Sequence, residues 1–88
     1  MIRRRVVVHG LVQGVFFRDT VRRHAVAAGI TGWVRNTRDG TVEAVFEGEP
    51  DAIDALVALC QKGPRGARVD RVDVSEESPE GLADFRIG

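Results

Sequence analysis

Eighty-eight residues with thirteen basic and thirteen acidic side chains, and no net charge, set the first limits. A chain this short buries only about 60–70% of its unfolded surface, so one domain, 1–88, around one modest core is expected. The charge balance argues against a dedicated nucleic-acid binder, whose footprint is normally a basic face.

Cys60 is the only cysteine. No intrachain disulfide can form, as expected in the reducing cytoplasm. Three arginines before Val6-Val7-Val8 give the outline of a signal peptide, but the apolar run stops at His9-Gly10, too short for one. No stretch approaches the ~20 apolar residues of a membrane span. The reading is a soluble, intracellular chain, monomeric by default at this size and charge.

Arg3 to His9 reads as a first strand, ended by Gly10, and its three adjacent valines suggest burial on both faces. Phe17, Val21, Ala25 and Ala28 recur at helical spacing, with Gly29 placed as a helix C-terminal glycine. Thr31 to Asn36 and Thr41 to Glu47 read as two further strands joined through Asp39-Gly40. In the later strand Val42, Ala44 and Phe46 alternate with Glu43, Val45 and Glu47, predicting one buried and one mostly wet face.

Pro50 suits a first helical turn, and Asp51 and Asp54 favour its dipole. Ile53, Leu56, Val57 and Cys60 supply a buried stripe, and Gly63-Pro64 stops the helix. A strand near Arg68 to Glu76 carries interleaved charges that read as a solvated face. Phe85 to Ile87 can add a short edge strand. The order β-α-β-β-α-β predicts an α+β, ferredoxin-like sandwich, an antiparallel sheet with both helices on one face. That fold hosts enzymes, ligand-binding modules and RNA binders alike, so it supplies no function.

Chemistry is concentrated in two places. From Val8 to Phe17 a β-run enters a loop punctuated by Gly10 and Gly14 and ends in Arg18 at the head of a helix. Such a loop can converge backbone N–H groups on an oxyanion, and arginine forks onto phosphate. It can equally be a tight turn beside a surface arginine. Asn36, at a strand end, can accept a hydrogen bond from a water and donate another, or merely form an Asx turn into Thr37–Gly40.

Elsewhere the signals are thinner. The Gly-Lys-Ser/Thr ending of a nucleotide loop is missing, as is a dinucleotide fingerprint. His9 and His24 lack companions at metal-ligand spacing. Ser75 and Ser78 have no adjacent base, and Trp33 and Phe46 do not make an aromatic RNA platform.

Taken jointly, the two segments are specific. Val8-His9-Gly10-Leu11-Val12-Gln13-Gly14-Val15-Phe16-Phe17-Arg18 closely resembles the first signature of the acylphosphatase family. Gly32-Trp33-Val34-Arg35-Asn36, then Gly40-Thr41-Val42 and Gly48, matches its second, in the right order and separation. The similarity spans essentially the whole chain.

The resemblance implies hydrolysis of acyl phosphates to a carboxylate and inorganic phosphate, without metal or cofactor. It places Arg18 and Asn36 on the catalytic positions, and Gln13, Gly14, Val15, Phe16, Phe17 and Arg18 on the phosphate cradle. The rival reading is a non-catalytic module that binds a carboxyl-phosphate or related anion for a partner protein. A chain ending at Gly88 with no linker favours the free enzyme.

Overall fold

The computed structural model describes residues 1–88. The elements are β1 (Ile2–Leu11), α1 (Phe17–Ala27), β2 (Thr31–Asn36), β3 (Val42–Gly48), α2 (Pro50–Lys62), β4 (Arg68–Glu77) and β5 (Phe85–Ile87). They build one sheet in the order β4-β1-β3-β2-β5. The four long strands pair antiparallel, while β5 joins the edge parallel to β2. The expected ferredoxin-like sandwich is present, and the C-terminal edge strand makes the sheet mixed.

Period-two alternation decides which side chains reach the helices. Val6 and Val8 of β1 pair across from Ala44 and Val42, and Val34 pairs with Ala44, so these residues share one face. They join Phe46 and Phe85 in a core completed by Phe17, Val21 and Ala25 of α1 and by Ile53, Leu56, Val57 and Cys60 of α2. Each Val, Leu, Ile or Phe among them contributes roughly 1.5–3 kcal/mol by leaving water. Ala28 is not part of the stripe: α1 ends at Ala27 and Ala28 is exposed. There Gly29, at φ +71°, donates to Val26 O and Ile30 donates to Ala25 O, which closes the last turn.

The first strand is longer than expected. Gly10 does not end it but stands at a register shift against β4, at φ +134°. A Cβ there would lie 2.0 Å from the Arg68 carbonyl oxygen, so only glycine fits the bulge.

The face away from the helices also departs from expectation. Val7 is only half-buried. In β3, however, both Val45 and Glu47 are fully buried rather than wet. Val45 is flanked in register by Arg5 and Trp33, whose long side chains cover it. The Arg5 and Arg35 guanidinium groups lie 5.5 and 5.3 Å from the Trp33 ring centre.

Glu47 is covered by the segment before β5. Its carboxylate accepts from the N–H groups of Glu80, Gly81 and Leu82 at 2.8, 3.0 and 3.0 Å, and from Arg3 at 2.9 Å. Burial alone would raise its pKa, but these donors win and hold it at about 2. The β4 face is solvated as expected, with Arg68–Asp70 and Arg71–Asp73 ion pairs.

Candidate active site

The turn from β1 into α1 leaves its main chain unspent. None of the N–H groups of Gly14, Val15 and Phe16 donates to a main-chain or side-chain acceptor, and α1 has no side-chain cap. The first helical N–H groups have no intrahelical partner in any α-helix. Two deviations, on either side of Val15, make this geometry: Gly14 at φ +74° and Phe16 at φ +61°. Left-handed φ is ordinary for glycine and unusual for a bulky residue, so Phe16 is held there against its preference. Composition points to Gly14 but carries no sign of Phe16, because aromatic residues are not markers of that conformation.

The loop, the head of α1 and the end of β2 enclose a cleft of about 260 Å³ lined by Val12, Gly14, Phe16, Phe17, Arg18, Asp19, Asn36 and Ile87. Arg18 and Asn36 therefore face the same space. Asn36 has the same strand parity as Val34 and is directed to the helix-bearing side, where α1 begins. Its Oδ1 is buried with no hydrogen-bond partner.

The Asx-turn alternative for Asn36 is not what the chain does. Asp39 takes that part, accepting from Thr41 Oγ1 at 2.9 Å and from the Thr37 hydroxyl, and these bonds hold its carboxyl below the ordinary range. An orphaned acceptor in a cleft is costly unless something supplies a hydrogen.

The remaining loop residues divide by role. The Gln13 side chain points out of the cleft and donates to the carbonyl oxygens of Thr37 and Thr41 at 2.8 and 2.9 Å. Val15 packs against the core. Phe17 is buried as the first core residue of α1 and also lines the cleft. Phe16 is 82% exposed at the mouth.

The C-terminal strand supplies parts that local sequence does not reveal. Gly32 donates to Asp84 O at 2.9 Å and Gly88 to Val34 O at 2.8 Å, docking β5 at both ends. Ile87 thereby reaches the cleft wall, and Arg18 Nη1 donates to the Gly88 carbonyl oxygen at 3.0 Å. No group of three or more His, Cys, Asp or Glu side chains is disposed to hold a metal ion. Cys60, whose thiol burial pushes up to about 12, is a core residue remote in role from this site.

A short α+β sheet protein with an N–H-lined loop, an arginine and an orphaned amide in one cleft defines a class of oxyanion-handling proteins. Comparison narrows it. Residues 4–87 match the family profile described as Acylphosphatase. An acylphosphatase of Rubrobacter xylanophilus is 58% identical over 79 residues, covering 90% of this chain and 72% of that one. One from Thermococcus kodakarensis is 49% identical over 86 residues, covering 98% and 94%. The crystal structure of an acylphosphatase from Bacillus subtilis superposes with a TM-score of 0.96 at 37% identity, covering 100% of this chain and 99% of that one. The chain belongs to the acylphosphatase family, and its reaction is the hydrolysis of acyl phosphates to a carboxylate and inorganic phosphate. No helix is long and apolar enough to cross a membrane.

Proposed function

We propose that Arg18 and the main-chain N–H groups of residues 13–18 hold the phosphoryl group while Asn36 positions the attacking water. The observation that carries this reading is the buried, unpartnered Oδ1 of Asn36 in the same cleft as the Arg18 guanidinium. A small rotation of the Asn36 amide brings this unpartnered oxygen to a water in the cleft. That water then directs a lone pair toward a phosphorus atom seated at the uncapped end of α1.

The chemistry asks for little more. The leaving group is a carboxylate, whose conjugate acid has a pKa of roughly 4–5, so it departs without a general acid. Phosphoryl transfer depends on in-line positioning and on charge stabilisation at the equatorial oxygens. Fixed N–H donors and a guanidinium supply the second, and they need no reorganisation during the reaction. Asparagine is no base, so the water's proton passes to the phosphoryl oxygens as the P–O bond to the acyl group breaks. Inorganic phosphate and the free carboxylate then leave.

All of these groups come from one chain, so a monomer suffices for turnover. One buried, free cysteine fits a protein of the reducing cytoplasm. Neutral charge gives no footprint for nucleic acid.

The test is phosphate release from benzoyl phosphate in EDTA by the wild type, Arg18→Ala and Asn36→Ala. Turnover by the wild type and its loss in both variants is expected. Inorganic phosphate is expected to bind Asn36→Ala as it binds the wild type. An Asn36→Ala protein that kept most of its rate would remove water positioning from the mechanism. Turnover absent in the folded wild type, with phosphate still bound, would favour an anion-binding module.

A further inference from the structure

We propose that Phe16 and Ile87 form the acyl-binding wall of the cleft and select acyl phosphates whose acyl group is apolar and uncharged. This rests on the catalytic reading of Arg18 and Asn36, because the acyl group must extend from a phosphoryl group held there.

The lining divides into two chemistries. Gly14, Arg18 and Asn36 offer donors and an acceptor suited to a phosphoryl group and a water. The side chains of Val12, Phe16, Phe17 and Ile87 offer only carbon. Val12 and Phe17 are buried and belong to the floor, whereas Phe16 is 82% and Ile87 42% exposed. Two large apolar side chains therefore stand in water at the mouth of the cleft, on opposite contributions to it, one from the loop and one from β5.

Phe16 is the sharper case. An N-cap position with left-handed φ favours Gly, Asn or Asp, which satisfy the backbone and tolerate the conformation. A phenylalanine there forgoes a side-chain cap and presents a ring to solvent. Nothing in the core accounts for it, since the ring lies outside the buried cluster. A ring at that place can stack on an aryl group or cover an alkyl chain.

Charge points the same way. The cationic side chain on the lining is Arg18, and the other charge is Asp19, a carboxylate bonded to Arg23 at 3.1 Å. Arg23 already neutralises Asp19, so a second anionic group on the acyl chain finds no free cation on the lining and gives up hydration against Phe16 and Ile87. Acyl phosphates with aryl or alkyl groups avoid that desolvation cost and gain the contact with Phe16 and Ile87.

The experiment compares kcat/KM for benzoyl, acetyl, butyryl and succinyl phosphates in the wild type, Phe16→Asn and Ile87→Thr. Butyryl and succinyl chains are matched in carbon number and differ by a carboxylate. The wild type is expected to prefer benzoyl to acetyl and butyryl to succinyl. The benzoyl-to-acetyl ratio is expected to fall roughly fivefold in Phe16→Asn, the size of one lost aromatic contact, and to fall in Ile87→Thr as well. Asparagine accepts left-handed φ and threonine keeps β-branching, so both variants retain the local backbone preference.

Ratios unchanged in both variants, whatever happens to the absolute rates, would overturn the assignment, as would succinyl phosphate turned over as well as butyryl phosphate. No turnover of any substrate by the folded wild type would overturn the catalytic reading, and the acyl wall with it. Turnover with unchanged ratios would leave the catalytic reading standing and remove only the acyl wall.

Discussion

The side-chain amide of Gln13 donates to the carbonyl oxygens of Thr37 and Thr41, at 2.8 and 2.9 Å. One residue of the phosphate loop thus clasps the hairpin that begins immediately after Asn36. In the proposed mechanism, that clasp sets the span between the free loop N–H groups and the Asn36 amide. Removing it with Gln13→Leu is expected to lower kcat by about tenfold or more, since an ångström of misplacement can cost about a hundredfold. Binding of inorganic phosphate is expected to change far less. Steady-state kinetics beside a phosphate titration checks this, and equal losses in both would mean that Gln13 supports the cradle rather than its alignment with Asn36.

Arg18→Lys keeps the charge but loses the planar fork. Both phosphate affinity and kcat are expected to drop, with kcat/KM lower by about 10²–10³, the cost of removing a preorganised donor at a reacting oxyanion. Kinetics and phosphate titration of this variant give both numbers. A lysine enzyme within threefold of the wild type would show that charge alone suffices.

Acid should weaken the fold through Glu47. Its folded pKa of about 2 lies below the ordinary 4.5, so its stabilisation is complete above about pH 4.5 and disappears as pH falls toward 2. The shift corresponds to about 3 kcal/mol. Glu43, despite its burial, and Glu77 are also held low beside Arg35, Arg5 and Arg3, so their contribution too is lost on acidification below the ordinary carboxylate range. Urea unfolding of the wild type and Glu47→Gln across this range is the check. The variant should be less stable by about 3 kcal/mol at neutral pH, and the gap should close toward pH 2. A gap that stays constant would assign the loss to packing rather than charge.

Two glycines of the loop region should respond differently to alanine. At Gly10 the new Cβ would lie 2.0 Å from a backbone oxygen, so β1 and β4 must separate. At Gly14 no atom lies within 4 Å, and only the φ of +74° opposes the change, at a cost of roughly 1–2 kcal/mol. Gly10→Ala is therefore expected to lower Tm more, while Gly14→Ala is expected to lower phosphate affinity more by shifting the cradle. Thermal melts and phosphate titration separate the two, and the reverse ranking would show that the bulge can relax.

Much of the fold can be read from contiguous residues. Val42-Glu43-Ala44-Val45-Phe46 announces a strand, and Ile53, Leu56, Val57 and Cys60 announce a helix face, because strand and helix periods are written directly into spacing. Gly29 and Pro50 mark helix ends by their own backbone limits. The loop from Gly10 to Arg18 and the amide of Asn36 are each ambiguous alone, readable as a turn, and stand out only when the two segments are taken together. The period alone misjudged Ala28, where capping geometry ends the helix before the stripe would, and the outer face of β3, where Glu47 alternates as a wet residue does.

Element order, most of the strand and helix faces, and the residue types at the proposed phosphate site were thus legible in the sequence itself, since local sterics and hydrophobic period act over a few neighbouring residues. Tertiary structure alone decided that Glu47 is buried beneath Glu80–Leu82, that Gln13 clasps Thr37 and Thr41, that Ile87 reaches the cleft, and that Asn36 and Arg18 share it. Each of these joins segments distant in the chain, and their meeting depends on sheet register and strand order. A hydrogen bond across such a separation leaves no period in the sequence, because it is made only after the strands have paired.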